Sequence, residues 1–554
     1  MKQSKRALAL GVLVSLLLAG APGFAATEPS SAERQSFEEL QDTVINLLQA
    51  LVDQGVISRA KAQELVQQAK QKAAASAAKA AQVAAQDRNA IRVPYVPKIV
   101  EDSIAKRVAH EVQPKVVASV VSEAKREKWG VPAALPDWLS RVRVDGDVAV
   151  RAQADLFSTA NQPNSILDFN AINQYGGIAK VPGYGPFLDT TENRDRMRVR
   201  AHLGLVAALT PQWSAGLRLS SGSLTDPSSE SQTLGTASAR YTVGFDEAYV
   251  RWNSAPAGEF SAVSAQAGRF LNPYFAPTQL VYADDLSFEG ASASFRQGFG
   301  PARGASRSNV FATLGATPIL EVPFANSQNK WMLAAQLGTD LHWNDGSDRL
   351  RVAAAYYDFL HVTGRLNDPN QPGLFNYTAP AFVRNGNTMF DIANSTDPTV
   401  NLYALAAKFR LVDVAATYDR GFGRYRLGLS IDAVRNVGYN LRDIQNLNPL
   451  NLYSNAAQNS GYVGEINFGD PEVEAFGQWS VKFGYRYVQS DAVIDAWTDA
   501  DFHEGGTNAR GYYIWGEAGL ADHVRVRARY LSGNEIVGPR YGLDILQLDL
   551  LSSF

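Results

Sequence analysis

Asp544-Ile545-Leu546-Gln547-Leu548-Asp549-Leu550-Leu551-Ser552-Ser553-Phe554 ends the chain on a two-residue period. Leu546, Leu548 and Leu550 share one face, Gln547 and Asp549 the other, and an aromatic residue closes the chain. That period belongs to a β-strand whose two sides meet different surroundings. A sheet in lipid can leave no edge unpaired, so a complete closing strand is what a membrane barrel requires.

The same alternation starts at Arg141. Arg141, Arg143, Asp145, Asp147, Arg151, Gln153 and Asp155 fall on one face, with Val142, Val144, Val148, Val150, Ala152, Ala154 and Leu156 on the other. It recurs in Trp331, Leu333, Ala335 and Leu337 against Gln336, Asp340 and His342. It recurs again in Leu427, Leu429 and Ile431 against Arg426, Ser430 and Asp432, and in Val524, Val526 and Ala528 against Arg525, Arg527 and Arg529. Lipid on one side and water on the other explains it. The expected fold is an all-β transmembrane antiparallel β-barrel over 138–554.

Short turns are expected at 210–212, 254–258, 344–347, 421–423 and 520–522, and long loops near 157–193, 223–240, 361–399, 438–460 and 491–509. With both termini in the periplasm the strand number is even. The walk gives about sixteen strands, with eighteen as the alternative because 461–476 is ambiguous. Strand counts of this size leave an aqueous channel inside.

The N-terminus reads as an export signal, with Lys2, Lys5 and Arg6 ahead of an apolar run over 7–19 and small residues at Gly23 and Ala25. Cleavage is expected after Ala25. The run is shorter than the ~20 residues a spanning helix needs. Residues 26–137 differ from the rest in being rich in Ala, Gln, Glu and Lys. Phe37, Leu40, Val44, Leu47 and Leu51 keep the 3-4 spacing of an amphipathic or coiled-coil helix. Gly55 and Ser58 suit a break before a second helix, and Pro94, Pro97 and Pro114 interrupt the chain beyond it. This periplasmic helical segment reads as a hairpin or an oligomeric coiled coil, either a solvated spacer or a device for trimer formation or peptidoglycan contact.

Hydrophobic residues make up 45% and aromatics 10% of the chain, yet mean hydropathy is slightly negative, as suits a barrel with a wet interior. There is no cysteine, which excludes disulfides and thiolate chemistry. The net charge of −3 gives no hint of nucleic acid. Six histidines occur, none in a recognisable nucleophile–base arrangement, so no enzyme, cofactor or metal site is expected.

Gly268-Arg269-Phe270-Leu271-Asn272-Pro273, Asp284-Asp285-Leu286-Ser287-Phe288-Glu289-Gly290, the run Arg194-Asp195-Arg196-Met197-Arg198-Val199-Arg200 and the Gln547-Leu548-Asp549-Leu550 ending together resemble the "putative porin" family of Gram-negative outer membranes. The resemblance covers the chain from end to end. It implies a channel in the cell outer membrane and names no solute.

Arg194, Arg196, Arg198, Arg200 and His202 lie on one side of a strand, about 6.8 Å apart. In lipid each arginine near the midplane would cost roughly 2–4 kcal/mol, so the lumen is their place. The ladder counts as the second strand, and 271–285 as the connection between the fifth and sixth. In general porins that loop folds into the barrel. Asp284 and Asp285 would then face the ladder across a constriction and set a transverse field. The alternative is pairing with neighbours such as Asp145 and Asp147, or ordinary lumen-wall arginines.

The function expected is passive diffusion of small hydrophilic solutes and ions, through a homotrimer embedded in outer-membrane lipid. An anion- or phosphate-preferring channel, supported by Arg194–Arg200 and by Arg525, Arg527 and Arg529, stands beside it. So does a structural tether from outer membrane to cell wall through residues 26–137.

Overall fold

The computed structural model describes residues 141–554, apart from 184, 255–260, 302–306 and 324–326, together with the single helical position Gln67. The export signal over 1–25 and the helical segment over 26–137 lie outside the described residues.

The strands are β1 (Val142–Phe157), β2 (Arg194–Ala208), β3 (Trp213–Ser221), β4 (Gln232–Thr233), β5 (Val243–Asn253), β6 (Ala262–Leu271), β7 (Ser287–Gly298), β8 (Asn309–Leu320), β9 (Lys330–Trp343) and β10 (Asp348–Leu360). They continue with β11 (Met389–Asp391), β12 (Tyr403–Leu405), β13 (Arg410–Phe422), β14 (Tyr425–Asn436), β15 (Ser460–Gly469), β16 (Trp479–Val488), β17 (Ala509–Ala521), β18 (Val524–Glu535) and β19 (Gly542–Ser553). Seventeen join one sheet, and β11 with β12 makes a separate hairpin. Setting aside two-residue β4, sixteen antiparallel strands remain, and β19 pairs with β1 to close the barrel. The ambiguous 461–476 stretch resolves into β15 and a turn, which decides sixteen over eighteen.

Closure is specific. Asp147 stands opposite Ser553 and Phe157 opposite Leu543. Gly146 and Phe554 exchange backbone hydrogen bonds of 3.0 and 2.9 Å. The Phe554 ring lies over Gly146, where a Cβ would come within 2.5 Å of it. The same device recurs on the inner wall: Tyr513 covers Gly484, Tyr249 covers Gly216 and Phe311 covers Gly338. Rings laid over glycines of the next strand fill the wall without narrowing the bore.

Val148, Val150, Leu203, Leu314, Leu337, Ile431, Ile514, Leu546, Leu548 and Leu550 are exposed on the outer face. A band of this kind facing water would mark an aggregating surface; facing lipid it is the barrel's solvent boundary. Aromatics bound it on both sides. Trp343 stacks on Tyr418 at 5.9 Å and Tyr425 meets Trp479 at the turn side, while Tyr462 stacks on Tyr487 at 5.3 Å at the loop side. From Trp479 to Tyr487 along β16 is roughly 26 Å of strand, or about 20 Å along the membrane normal at a usual tilt.

The interior is less open than strand number alone implies. Loops 272–286, 361–409 and 489–508, with the helix α1 (Phe169–Tyr175), pack an apolar core against inward residues of β9, β10 and β13–β16. Tyr282 anchors it, meeting Phe288 at 5.0 Å, Tyr357 at 5.2 Å and Trp497 at 6.3 Å. A second short helix, α2 (Leu441–Asn446), seats Ile444 in the same core. Loop 272–286 is pinned to the wall by hydrogen bonds. Gln336 accepts from the Phe275 backbone N–H at 2.7 Å and donates to its carbonyl at 2.9 Å, and Thr278 donates to Asp432 at 2.8 Å.

Candidate functional site

Across the lumen from that core, β18, β19, β1, β2 and β3 carry the charged wall. The two-residue period turns Arg194, Arg196, Arg198, Arg200 and His202 inward on β2, with Met197 and Leu203 exposed outside. On β18 the same period turns Arg525, Arg527 and Arg529 inward, and on β1 Arg151. At β5 an irregularity in register opposite Arg218 and Leu219 brings adjacent Asp246 and Glu247 both into burial.

Each ladder arginine has a carboxylate in contact. Arg194 lies 3.8 Å from Glu504, and Arg196 lies 2.8 Å from Asp155 and 3.3 Å from Glu504. Arg198 approaches Asp501 at 3.9 Å and donates to Ser229 and the Ser231 carbonyl. Arg200 bridges Asp285 at 3.2 Å and Asp147 at 3.3 Å. His202 sits between Asp147, at 2.7 Å, and Glu230. Arg529 reaches Asp501 at 2.7 Å and Asp549 at 3.8 Å, while Arg525 and Arg527 share Glu517 on β17.

Asp285 therefore stands in direct contact with the ladder and not across an open gap. Asp284 forms no ion pair with an arginine among the described residues. Its carboxyl is pushed up to about 6 by the surrounding protein and then by the Asp285 and Asp499 carboxylates. Of the two strand neighbours expected to neutralise the ladder, Asp147 does bridge Arg200, whereas Asp145 lies 3.5 Å from Arg143.

Sequence reasoning missed the second loop on this wall. Asp501, from loop 489–508, accepts from Arg151 at 2.8 and 3.1 Å, from Arg529 at 2.7 Å and from Gln547 at 3.2 Å. Burial pushes its carboxyl up, but Arg151, Arg529 and Arg198 outweigh that and hold it well below the usual range. Glu504 of the same loop is raised by burial, which Arg196 opposes. Nothing in the local run Asp499-Ala500-Asp501-Phe502-His503-Glu504 marks its acids as partners of a distant strand. Asp549 and Asp155, by contrast, were legible from strand parity. Among the described residues no group of His, Cys, Asp and Glu is arranged to hold a metal ion.

A closed barrel with an apolar exterior, aromatic girdles and an inward wall of charge is an outer-membrane channel. The chain belongs to the family described as "Putative porin", whose model matches residues 41–554. No curated protein matches it. Among solved structures it is similar to OprB of Pseudomonas putida, at 11% identity over 77% of this chain and 97% of that one, with a TM-score of 0.40. It is also similar to a loop-deletion mutant of OmpT of Vibrio cholerae, at 10% identity over 75% and 100%, TM-score 0.37. The outer membrane channel DcaP of Acinetobacter baumannii aligns at 13% identity over 75% and 98%, TM-score 0.30.

Proposed function

We propose that the protein is a diffusion channel for small hydrophilic solutes and ions, with Arg194, Arg196, Arg198, Arg200, Asp284, Asp285, Arg525, Arg527 and Arg529 lining its narrow region. The observation that carries this reading is the pairing of the arginine wall with carboxylates of the two loops folded onto it. A guanidinium matched by a carboxylate at about 3–4 Å adds little net field, so the wall favours weak ion selectivity over a strongly anion- or phosphate-preferring pore. The loops it holds determine the aperture.

Single-channel conductance of the purified protein in a planar bilayer, under a salt gradient, tests the proposal. Stepwise ohmic openings with a small reversal potential are expected, and closures in threes would support a homotrimer. Silence from folded protein would defeat the channel reading and favour the cell-wall tether, which peptidoglycan pull-down by the full chain would then address.

A further inference from the structure

On the opposite side of the lumen Arg351 departs from the rule of the charged wall. Arg351 points inward from β10, just past the 344–347 turn and so in the turn-side half of the barrel. Directly opposite it in register on β9 is Asp340. That carboxylate is already engaged: Arg349 takes both oxygens at 2.8 and 2.6 Å, and His342 lies 3.1 Å away. Among the described residues Arg351 has no ion pair and no hydrogen bond, and its Nε is buried without a partner. Arg296 and Arg349 stand close enough to add to the positive potential there, and Asp340 to reduce it.

What holds Arg351 is aromatic. Its guanidinium carbon sits 4.2 Å from the centre of the Phe275 ring and 4.6 Å from that of Phe311. The two rings are 6.5 Å apart and nearly perpendicular, so they restrain the guanidinium from two directions. Both rings are themselves fixed. Phe275 belongs to loop 272–286 and is tied through its backbone to Gln336, while Phe311 lies over Gly338. Restraint of this kind removes most of the ordering cost of binding. A half-buried guanidinium held against two rings, with no ion pair or hydrogen bond among the described residues, keeps its Nη fork free to grip a planar carboxylate through two parallel N–H bonds.

We propose that Arg351, framed by Phe275 and Phe311, is an anion-binding subsite in the inner half of the pore, taking the carboxylate of a small organic anion whose apolar part lies along the rings. A phosphate, tetrahedral and doubly charged, would ask for more donors than one fork supplies. The proposal rests on the channel reading and names a solute class for it.

The test uses the full chain in planar bilayers, comparing potassium butyrate with potassium chloride and potassium phosphate. Current should saturate with butyrate concentration in the wild type. Arg351→Gln should raise the half-saturating concentration about tenfold or more, the usual worth of a hydrogen bond to a charged group. Chloride conductance should fall by no more than about fourfold, the worth in water of one unpaired guanidinium roughly 5 Å from the ion. Arg351→Lys should keep the chloride reversal potential but not the butyrate affinity, and Phe275→Ala should weaken butyrate about threefold. A linear butyrate current, an unchanged Arg351→Gln variant, full rescue by lysine, or phosphate saturating below butyrate would each overturn the subsite. Absence of any wild-type channel would instead overturn the porin reading beneath it. If Arg351→Gln fails to give the compact, heat-modifiable band of a folded barrel, Phe275→Ala in the loop decides alone.

Discussion

Asp501→Asn should release loop 489–508 from the barrel wall without unfolding the barrel. The aspartate answers Arg151 at 2.8 Å, Arg529 at 2.7 Å and Arg198 at 3.9 Å, with its side chain 23% exposed. Arg151 and Arg529 also touch Asp549, at 2.6 and 3.8 Å, so neither would be orphaned. The loss is then nearer the ~1.5–3 kcal/mol of a charged hydrogen bond than the ~3–5 kcal/mol of a fully buried broken pair. About 2 kcal/mol corresponds to a roughly thirtyfold rise in the open population of the loop. No ladder hydrogen bond of the sheet depends on Asp501, so the cost falls on loop docking. Hydrogen exchange of the loop amides in detergent-purified protein would read it, with β17 and β18 amides as the internal reference. The charge change is visible too. An anion passing roughly 5 Å from one uncompensated guanidinium gains about 0.8 kcal/mol in water, close to fourfold in occupancy, so the reversal potential should move toward anions. Because the folded carboxyl is held below its ordinary value, the clamp is present above the usual carboxylate pKa near 4 and is lost only as pH falls well below it. Wild-type docking should therefore persist at pH 5. Unchanged loop exchange together with an unchanged reversal potential would refute the assignment of Asp501 as the clamp.

Asp284, pushed up to about 6, should lose its charge between pH 7 and 5; cation preference should fall over that range in the wild type, and Asp284→Asn should abolish the dependence in reversal-potential titrations. Gly484→Val should destabilise the barrel by about 1–3 kcal/mol in urea unfolding, because the Tyr513 ring occupies the space a Cβ would need and is anchored to Glu465 at 2.6 Å. For the contact between β2 and loop 272–286, Arg200→Gln and Asp285→Asn should each shift the reversal potential, in opposite directions, while the double variant returns it near wild type but leaves the loop more mobile. A double variant as selective as either single would show that the pair does not act as one neutral unit.

Strand parity made most of the barrel legible, since a two-residue period with lipid outside leaves few choices of register. It placed the β2 ladder, Arg525–Arg529 and the closing Leu546–Leu550 face. Parity also held Asp155 and Asp549, whose partners lie on adjoining strands. The loops were a different matter. Asp501 becomes a clamp because loop 489–508 returns over the barrel wall, and no period within the loop announces that. The same holds for Arg351: its sequence neighbourhood is an ordinary strand, and its isolation arises because Arg349 and His342 claim Asp340 first. The irregularity at 246–247, which buries two acids beside Arg218, is likewise a feature of pairing between strands and has no local signature.

The two sides of the lumen act as complementary devices. A guanidinium in water attracts as 1/r, but one matched by a carboxylate acts as a short dipole whose influence falls faster with distance and is cut further by salt within about 8–10 Å. Lining β1, β2 and β18 with arginines and meeting each with a carboxylate therefore gives adhesion to the wall at little cost in selectivity. Loops 272–286 and 489–508 supply Asp285, Asp501 and Glu504 to that wall, so the ladder acts as a rail that sets how far they intrude. On the reading proposed above, discrimination among solutes falls to charges with no ion pair among the described residues, Arg351 and Asp284 among them. A barrel built this way can change its solute by altering one or two unpaired residues while the rail that positions its loops stays intact.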